Sequence, residues 1–279
     1  MLSTNAQALT REVRSSYAFV ERNWNLTKRY IGWEVVWLMY SLVNALTILF
    51  IAAATERITG QAVDTRFFVL YLLIGTTMWS YLSAVFDVVA ETIAWERWEG
   101  TIEYTLMAPV RRTTQMLGTS IFAILYGLIR TAILLGAIWL FFDLELGRAN
   151  YLSALVVLLV GSLSFVGIGI MASTLPLLFT ERGAQMVFMI SSLLLLVSGV
   201  YYPISVLPAW MQALAKVSPA TYVLDGVRAS VLEGVGVGAL WTELLILLVI
   251  GVITIPAGVW VFILVERYAK RAGLLKRSG

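Results

Sequence analysis

The chain has neither cysteine nor histidine, and only 13% of its 279 residues are charged. Without these two side chains it forms no disulfide, no Cys/His zinc site, no thiolate nucleophile and no imidazole base. It also lacks the Gly-x-x-x-x-Gly-Lys-Ser/Thr loop that cradles nucleotide phosphates and the Gly-x-Ser-x-Gly nucleophile elbow. We therefore expect a chain that is not itself an enzyme and that needs no cofactor.

Apolar residues make up 59% of the chain, and they are gathered into long runs. A helix that crosses a bilayer needs about 20 mostly apolar residues. Six stretches are long enough, at residues 33–54, 67–90, 116–142, 151–179, 186–202 and 241–265. The sequence thus predicts an all-α integral membrane protein with six transmembrane helices, organised as a single transmembrane domain over residues 1–279.

The positive charges are distributed unevenly between the predicted loops. With six spans both termini lie on one side, and that side holds fourteen of the 20 Lys and Arg, against five on the other side. The positive-inside rule then places both termini in the cytoplasm. The first 30 residues are polar and show no cleavable signal peptide. We expect a multi-pass protein of the inner (cytoplasmic) membrane, in contact with lipids and without a nucleic-acid partner.

Three segments outside the spans have a recognisable character. Residues 11–31 place apolar side chains at helical spacing between basic ones, which predicts an amphipathic helix in the membrane interface. Residues 91–112 predict two short helices that are separated at Gly100. Residues 203–238 contain three of the six prolines and no run long enough to span. They predict a helical hairpin on the outer face that folds back between the spans.

One charge, Arg130, lies well inside a predicted span, where a charge is costly and usually faces protein or water. Three interpretations remain open. Arg130 pairs with Asp87 or Glu34 and locks helices together, or it lines a path for an anionic substrate, or its stem reaches the interface because the span begins late. The nearby carboxylates lie at span ends, which argues against a carrier driven by an ion gradient.

Two segments resemble signatures of the permeases of type-2 ABC transporters. The first follows the second span and reads E-R-x-x-G-T-x-E, then Leu106, Pro109 and Arg112. The second precedes the last span and reads S-G-V-Y-Y-P from residue 198, L-P from residue 207 and S-P-A-T-Y from residue 218, ending at Asp225 and Arg228. Their order among the spans also agrees with the family, so the resemblance covers nearly the whole chain.

The resemblance implies a permease that works as a dimer, with a second copy or a homologue, above two separate ABC ATPase subunits. It implies export of a drug-like molecule, a lipid or a lipid-linked glycan, and a dimer seam at the first and fifth spans. The residues that match the ATPase-docking segment are Glu96, Arg97, Glu99, Gly100, Thr101 and Glu103. The residues that match the outer gate hairpin are Tyr202, Pro203, Pro208, Pro219 and Arg228.

Two other functions stay open on the sequence alone. A gradient-driven carrier would carry central carboxylates, and none is found. A membrane scaffold or sensor that transports nothing would have the same sequence features as a permease. An intramembrane enzyme is the weakest alternative, because the chain offers no plausible acid–base residues.

Overall fold

The computed structural model describes residues 2–60, 64–142, 147 and 149–274, with side chains from residue 10 onward except at 59. Within these ranges the protein is 84% helical and contains no strand. The described helices are α1 (Leu2–Arg29), α2 (Ile31–Thr59), α3 (Thr65–Ala90), α4 (Thr92–Trp98), α5 (Ile102–Met107), α6 (Arg112–Trp139), α7 (Tyr151–Ala172), α8 (Thr174–Leu178), α9 (Gly183–Val197), α10 (Ala209–Ala215), α11 (Pro219–Leu232) and α12 (Trp241–Arg271).

Five of the six predicted spans are confirmed. The described residues contain five helical segments long and apolar enough to cross a membrane, at Ile31–Ile58, Thr65–Ala90, Arg112–Trp139, Tyr151–Leu178 and Val237–Arg271. The predicted span at 186–202 is helical only as α9, which has 15 residues. Such a helix is about 22 Å long, which is less than the roughly 30 Å of a bilayer's hydrocarbon core.

The end of α9 has a local cause in the sequence. The chain turns at Gly199, whose φ of 71° is left-handed, and Pro203 cannot continue a helix. The turn packs on α3, where a Cβ on Gly75 would lie 2.2 Å from the carbonyl oxygen of Val200. Gly75 is ten residues into α3, so α9 stops about 15 Å short of the first residue of α3.

The space beyond α9 is filled by α10 and α11. The backbone N–H of Asn150 donates to the carbonyl of Ser230 over 2.9 Å, and further along α7 a Cβ on Gly161 would lie 2.3 Å from Val223. α7 and α11 therefore run antiparallel, and α11 extends about 15 Å along α7. We call this end of the molecule the hairpin side and the opposite end, where α1, α4 and α5 lie, the α1 side.

The predicted amphipathic helix at 11–31 is present as α1, which packs along the beginning of α6. The contact is close at Gly118, where a Cβ would lie 2.4 Å from the carbonyl oxygen of Ser16. Val13 and Tyr17 of its apolar stripe are exposed, whereas the indole of Trp24 meets the ring of Phe122 edge-on. Exposed apolar side chains between basic residues are typical of a helix that lies in a membrane interface.

The main core lies where α7 packs between α3 and α12. Tyr81 of α3 is fully buried, and its hydroxyl lies 2.6 Å from the hydroxyl of Ser162. On the other face of α7, Ser164 Oγ donates to the carbonyl of Leu247 over 2.8 Å. These small side chains allow the helix backbones to approach closely.

The two halves of α2 have different surroundings. On the hairpin side α2 packs against α3 and α6 through a buried apolar cluster, whose members are Ala45, Leu49, Ala52, Leu72, Leu73, Leu134 and Ile138. On the α1 side a groove with mixed polar and apolar walls lies between α2 and α3. The beginning of α2 is therefore held by fewer apolar contacts than its end.

Candidate functional site

The segment at residues 91–112 consists of two short helices joined at a glycine, as predicted. The first helix, α4, follows α3 with one residue between them, and α5 follows after the turn. Gly100 in that turn has a φ of 73°, a conformation that side chains with a Cβ rarely adopt. We call the segment from α4 to α5 the coupling segment.

Glu96 of the coupling segment faces the interior of the protein and is only 1% exposed. Its Oε1 accepts hydrogen bonds from Arg22 Nη1 over 2.8 Å and from Gln115 Nε2 over 3.1 Å. Burial raises the pKa of Glu96, while the charge of Arg22 acts in the opposite direction. Glu96 thus connects the coupling segment to α1 and α6.

Arg97 is also interior, at 8% exposure, and it connects the coupling segment to other helices. Its Nη2 donates to the carbonyl of Leu177 over 3.1 Å and to the carbonyl of Leu274 over 2.9 Å. Burial lowers the pKa of Arg97. These carbonyls lie at the end of α8 and just beyond α12, where helical backbone lacks its own donors.

The outward face of the coupling segment is largely apolar. Trp98, Tyr104 and Met107 are 61%, 75% and 73% exposed. Of the remaining predicted docking residues Glu103 is exposed, whereas Glu99, Gly100 and Thr101 are partly buried, and the hydroxyl of Thr101 accepts a hydrogen bond from Arg22 Nη2 over 3.3 Å. The sequence signature drew attention to charged and small residues, and it missed these three large apolar side chains. The helical spacing of Ile102 and Leu106, which are buried, could have indicated that Tyr104 and Met107 lie on the exposed face.

Glu99 links the coupling segment to the junction of α1 and α2. The hydroxyl of Tyr30 donates to Glu99 Oε1 over 2.5 Å, and Arg29 Nη1 lies 3.6 Å from Glu99 Oε2. The ring of Tyr30 also contacts the indole of Trp98, with centroids 5.3 Å apart. These contacts join the coupling segment to the residue that immediately precedes α2.

Arg112 holds the end of α5 in place. Its guanidinium donates to the carbonyls of Thr105 and Leu106 over 3.0 Å and 2.6 Å. Its Nε also donates to both carboxylate oxygens of Glu266 on α12, at 3.1 Å and 3.0 Å. The family signature contains Arg112, but no sequence pattern pointed to Glu266, which lies 154 residues away.

Above the coupling segment lies a groove of about 640 Å³, bounded by α1, α2, α3, α4, α6 and α9. It extends from Trp95 and Glu99 at the coupling segment to Tyr201, just beyond α9. Its walls carry many aromatic rings together with hydroxyl, amide and carboxylate groups. A space of this size is within the range of small-molecule sites in proteins.

The three predicted intramembrane charges all line this groove. Arg130 Nη2 donates to Ser41 Oγ over 2.7 Å, and the hydroxyl of Tyr126 donates to Glu34. Within the described residues, Arg130 forms no ion pair with Asp87 or with Glu34. Since Ser41 is ten residues into α2, Arg130 lies about 15 Å from the beginning of that helix.

Arg228 of α11 holds the end of α9. It donates to the carbonyls of Gly199 and Val200 over 3.1 Å and 2.9 Å, and its guanidinium lies 3.6 Å from the ring centre of Tyr71. A guanidinium at the end of a broken helix supplies donors to carbonyls that lack helical partners. The other predicted hairpin residues lie in the connection from α9 to the start of α11: Tyr202, Pro203, Pro208 and Pro219.

Two curated relatives match most of this chain. Both are described as "Probable multidrug ABC transporter permease YbhR", one from Escherichia coli strain K12 and one from Escherichia coli O157:H7. Each is 28% identical to the chain over 194 residues, which is 67% of this chain and 50% of the relative. The chain thus spans about half the length of the curated relatives it matches.

The sequence model of a transporter family also matches the chain. This family is described as "ABC-2 type transporter", and the match covers residues 18–232, from α1 to the end of α11. The matched residues include the coupling segment, the groove and the hairpin of α10 and α11. The chain therefore belongs to the ABC-2 type transporter family and is a multi-pass membrane subunit of a transporter.

Proposed function

We propose that this chain is the membrane-spanning half of an ATP-driven exporter. Members of its family in general work with an ABC ATPase, and the chain has no phosphate-binding loop of its own. In this proposal two ATPase subunits bind on the α1 side. A second permease chain, identical or homologous, completes the translocation path at the seam formed by α2 and α9.

The coupling segment carries the proposal. Large apolar side chains exposed on a polar end of a membrane protein are typical of a protein interface. Trp98, Tyr104 and Met107 form such a surface, while Glu96 and Arg97 fix the segment from behind. A short segment held in this way transmits a push as a rigid body.

The six predicted docking residues divide into two roles in this proposal. Glu96 and Arg97 position the segment within the permease. Glu99 and Thr101 join them, through Tyr30 and Arg22, and Gly100 forms the turn. Glu103 is exposed with the apolar residues and would meet the ATPase. Nucleotide binding would then favour one arrangement of the two permease chains, and the population would shift towards it.

We also propose that the α1 side is cytoplasmic and that the protein resides in the inner membrane. α9 and the hairpin of α10 and α11 together then cross the bilayer, giving six crossings with a re-entrant outer hairpin. Irregular backbone at membrane depth has to be buried in protein, and the contacts of Arg228 with Gly199 and Val200 meet that requirement. The hairpin, including Tyr202 and the three prolines, serves as the outer gate.

The groove is our candidate for one wall of the path. It begins at the coupling segment and is bounded by α2 and α9, the helices of the proposed seam. Its aromatic and polar lining suits a drug-like molecule, a lipid or a lipid-linked glycan.

Co-purification from gently solubilised membranes of the native host tests the proposal. The tagged chain should recover a stoichiometric ABC ATPase, identified by mass spectrometry. The double variant Trp98→Ala, Tyr104→Ala should lose it, whereas Trp210→Ala, which removes an equally exposed indole on the hairpin side, should retain it. A homo-oligomer that reproducibly lacks an ATPase in several detergents would contradict the proposal and favour a carrier or scaffold.

A further inference from the structure

The charges on the wall of the groove are unbalanced. Five Asp and Glu side chains line it, but only two Arg and no Lys. Glu96 is paired with Arg22, and Glu99 lies near Arg29. Among the described residues, three groove carboxylates form no ion pair with the protein: Glu34, Asp87 and Glu91. Arg130 is the one remaining positive side chain on the wall.

These carboxylates lie where charge is costly. Asp87 and Glu91 are separated by one helical turn at the end of α3, and both line the groove. Neighbouring like charges in a partly desolvated space are unfavourable, and so is a carboxylate without a positive partner. A cation in the groove would offset both effects.

The aromatic lining points to the same kind of ligand. Ten aromatic side chains border the groove, among them Trp33, Trp37 and Tyr40 of α2 and Trp79 of α3. Trp37 meets Trp33 and Tyr40 edge-on, with ring centres 6.3 Å and 5.9 Å apart. The faces of such rings attract cations, and the attraction strengthens where water is excluded.

We propose that the groove binds amphiphilic organic cations, such as quaternary ammonium or phosphonium compounds with apolar substituents. This inference rests on the proposed function, because it names the substrate class of the path. The carboxylates would hold the charge, the aromatic rings would hold the apolar body, and Arg130 would oppose binding. A volume of about 640 Å³ accommodates a molecule of drug size.

Two ions of nearly the same size and shape test the charge preference. Radiolabelled tetraphenylphosphonium and tetraphenylborate are titrated separately against the purified full-length chain in detergent, with excess unlabelled ion to define specific binding. The phosphonium should bind and the borate should bind at least tenfold more weakly. Equal binding of both ions, or preference for the borate, would overturn the proposal.

Charge variants locate the site. Asp87→Asn should weaken phosphonium binding at least tenfold, whereas Glu181→Gln, in the exposed turn between α8 and α9, should leave it unchanged. Arg130→Gln should tighten binding, and this opposite sign keeps the test decisive if the Asp87 variant fails to fold. Unchanged affinity in both groove variants would place any phosphonium site elsewhere and refute the assignment.

Binding to the isolated chain needs no ATPase, so the two proposals fail separately. Phosphonium binding without a co-purified ATPase would leave the cation site standing and remove the exporter. A co-purified ATPase without phosphonium binding would leave the exporter standing and remove the cation site.

Discussion

Replacing Arg112 with Gln should destabilise the protein far more than the same change at its neighbour. The Arg112 guanidinium makes two bonds to Glu266, one to each carbonyl of Thr105 and Leu106, and one to the side chain of Gln115. The variant would leave a carboxylate that is 7% exposed without this partner and would leave two carbonyls at the end of α5 without donors. Breaking one side of a buried pair costs about 3–5 kcal/mol.

Arg111 provides the matched control. Its side chain is 76% exposed and lies 3.5 Å from Glu12, in contrast to the 13% exposure of Arg112. An exposed pair contributes at most about 1 kcal/mol, so Arg111→Gln should be nearly neutral. The remaining partner of Glu266, Lys270 at 2.7 Å, is itself about half exposed and compensates only in part.

The assay has a global and a local part. Unfolding in a fixed detergent gives the loss of stability of each variant, and hydrogen exchange followed by mass spectrometry gives its location. Arg112→Gln should accelerate exchange in α5, at residues 102–107, well before the core of α7 is affected. Similar small losses of stability in both variants, or unchanged slow hydrogen exchange in α5, would refute the conclusion that Arg112 fixes the coupling segment.

Three further predictions follow from single positions. Gly118→Ala should lower the melting temperature and detach α1 from α6, because the added Cβ would lie 2.4 Å from the carbonyl oxygen of Ser16. Gly136→Ala is the control, since the space around Gly136 is open, and it should be neutral or slightly stabilising in the same melting assay. Burial raises the pKa of Glu91, so ionisation of this carboxyl opposes folding and the stability of the protein falls as the pH rises through that pKa. The variant Glu91→Gln should therefore have a higher melting temperature than the parent at pH 8, and the difference should be smaller at pH 4. A lower melting temperature of the variant at pH 8 would contradict this. Gly100→Val, at a φ of 73°, should leave insertion intact but reduce substrate-stimulated ATPase activity of the assembled transporter, and Gly100→Asn should retain more of it.

The sequence was sufficient for most of the fold because length and hydropathy determine membrane spans. It also predicted the break at Gly100 and the separate character of residues 203–238. It did not predict that α9 stops after 15 residues, since its apolar run continues to Tyr202 and hydropathy does not register backbone direction. Gly199 and Pro203 were the available signals, because a glycine followed closely by a proline is typical of a helix end.

The candidate site was predictable only in outline. The signature located the coupling segment, but it did not show that Glu96 and Arg97 face inward. Their partners come from α1, α6, α8 and the end of α12, and such distant contacts leave no periodic pattern in one sequence. The groove is likewise assembled from six helices, so Arg130 could be recognised as unusual without its surroundings being known.

The uneven packing of α2 has a mechanical consequence. Its hairpin-side half is fixed in the buried cluster that begins at Ala45, and its first turn is linked through Tyr30 to Glu99 of the coupling segment. The fourteen residue steps from Ile31 to Ala45 form an arm of about 21 Å, so a tilt of about 10° about the fixed half displaces the beginning of α2 by about 4 Å. From α6, the hydroxyl of Tyr126 donates to Glu34 in the first turn of this arm, and Arg130 donates to Ser41 further along it. α2 can thus tilt about its buried, hairpin-side half, while its opposite end contacts the coupling segment.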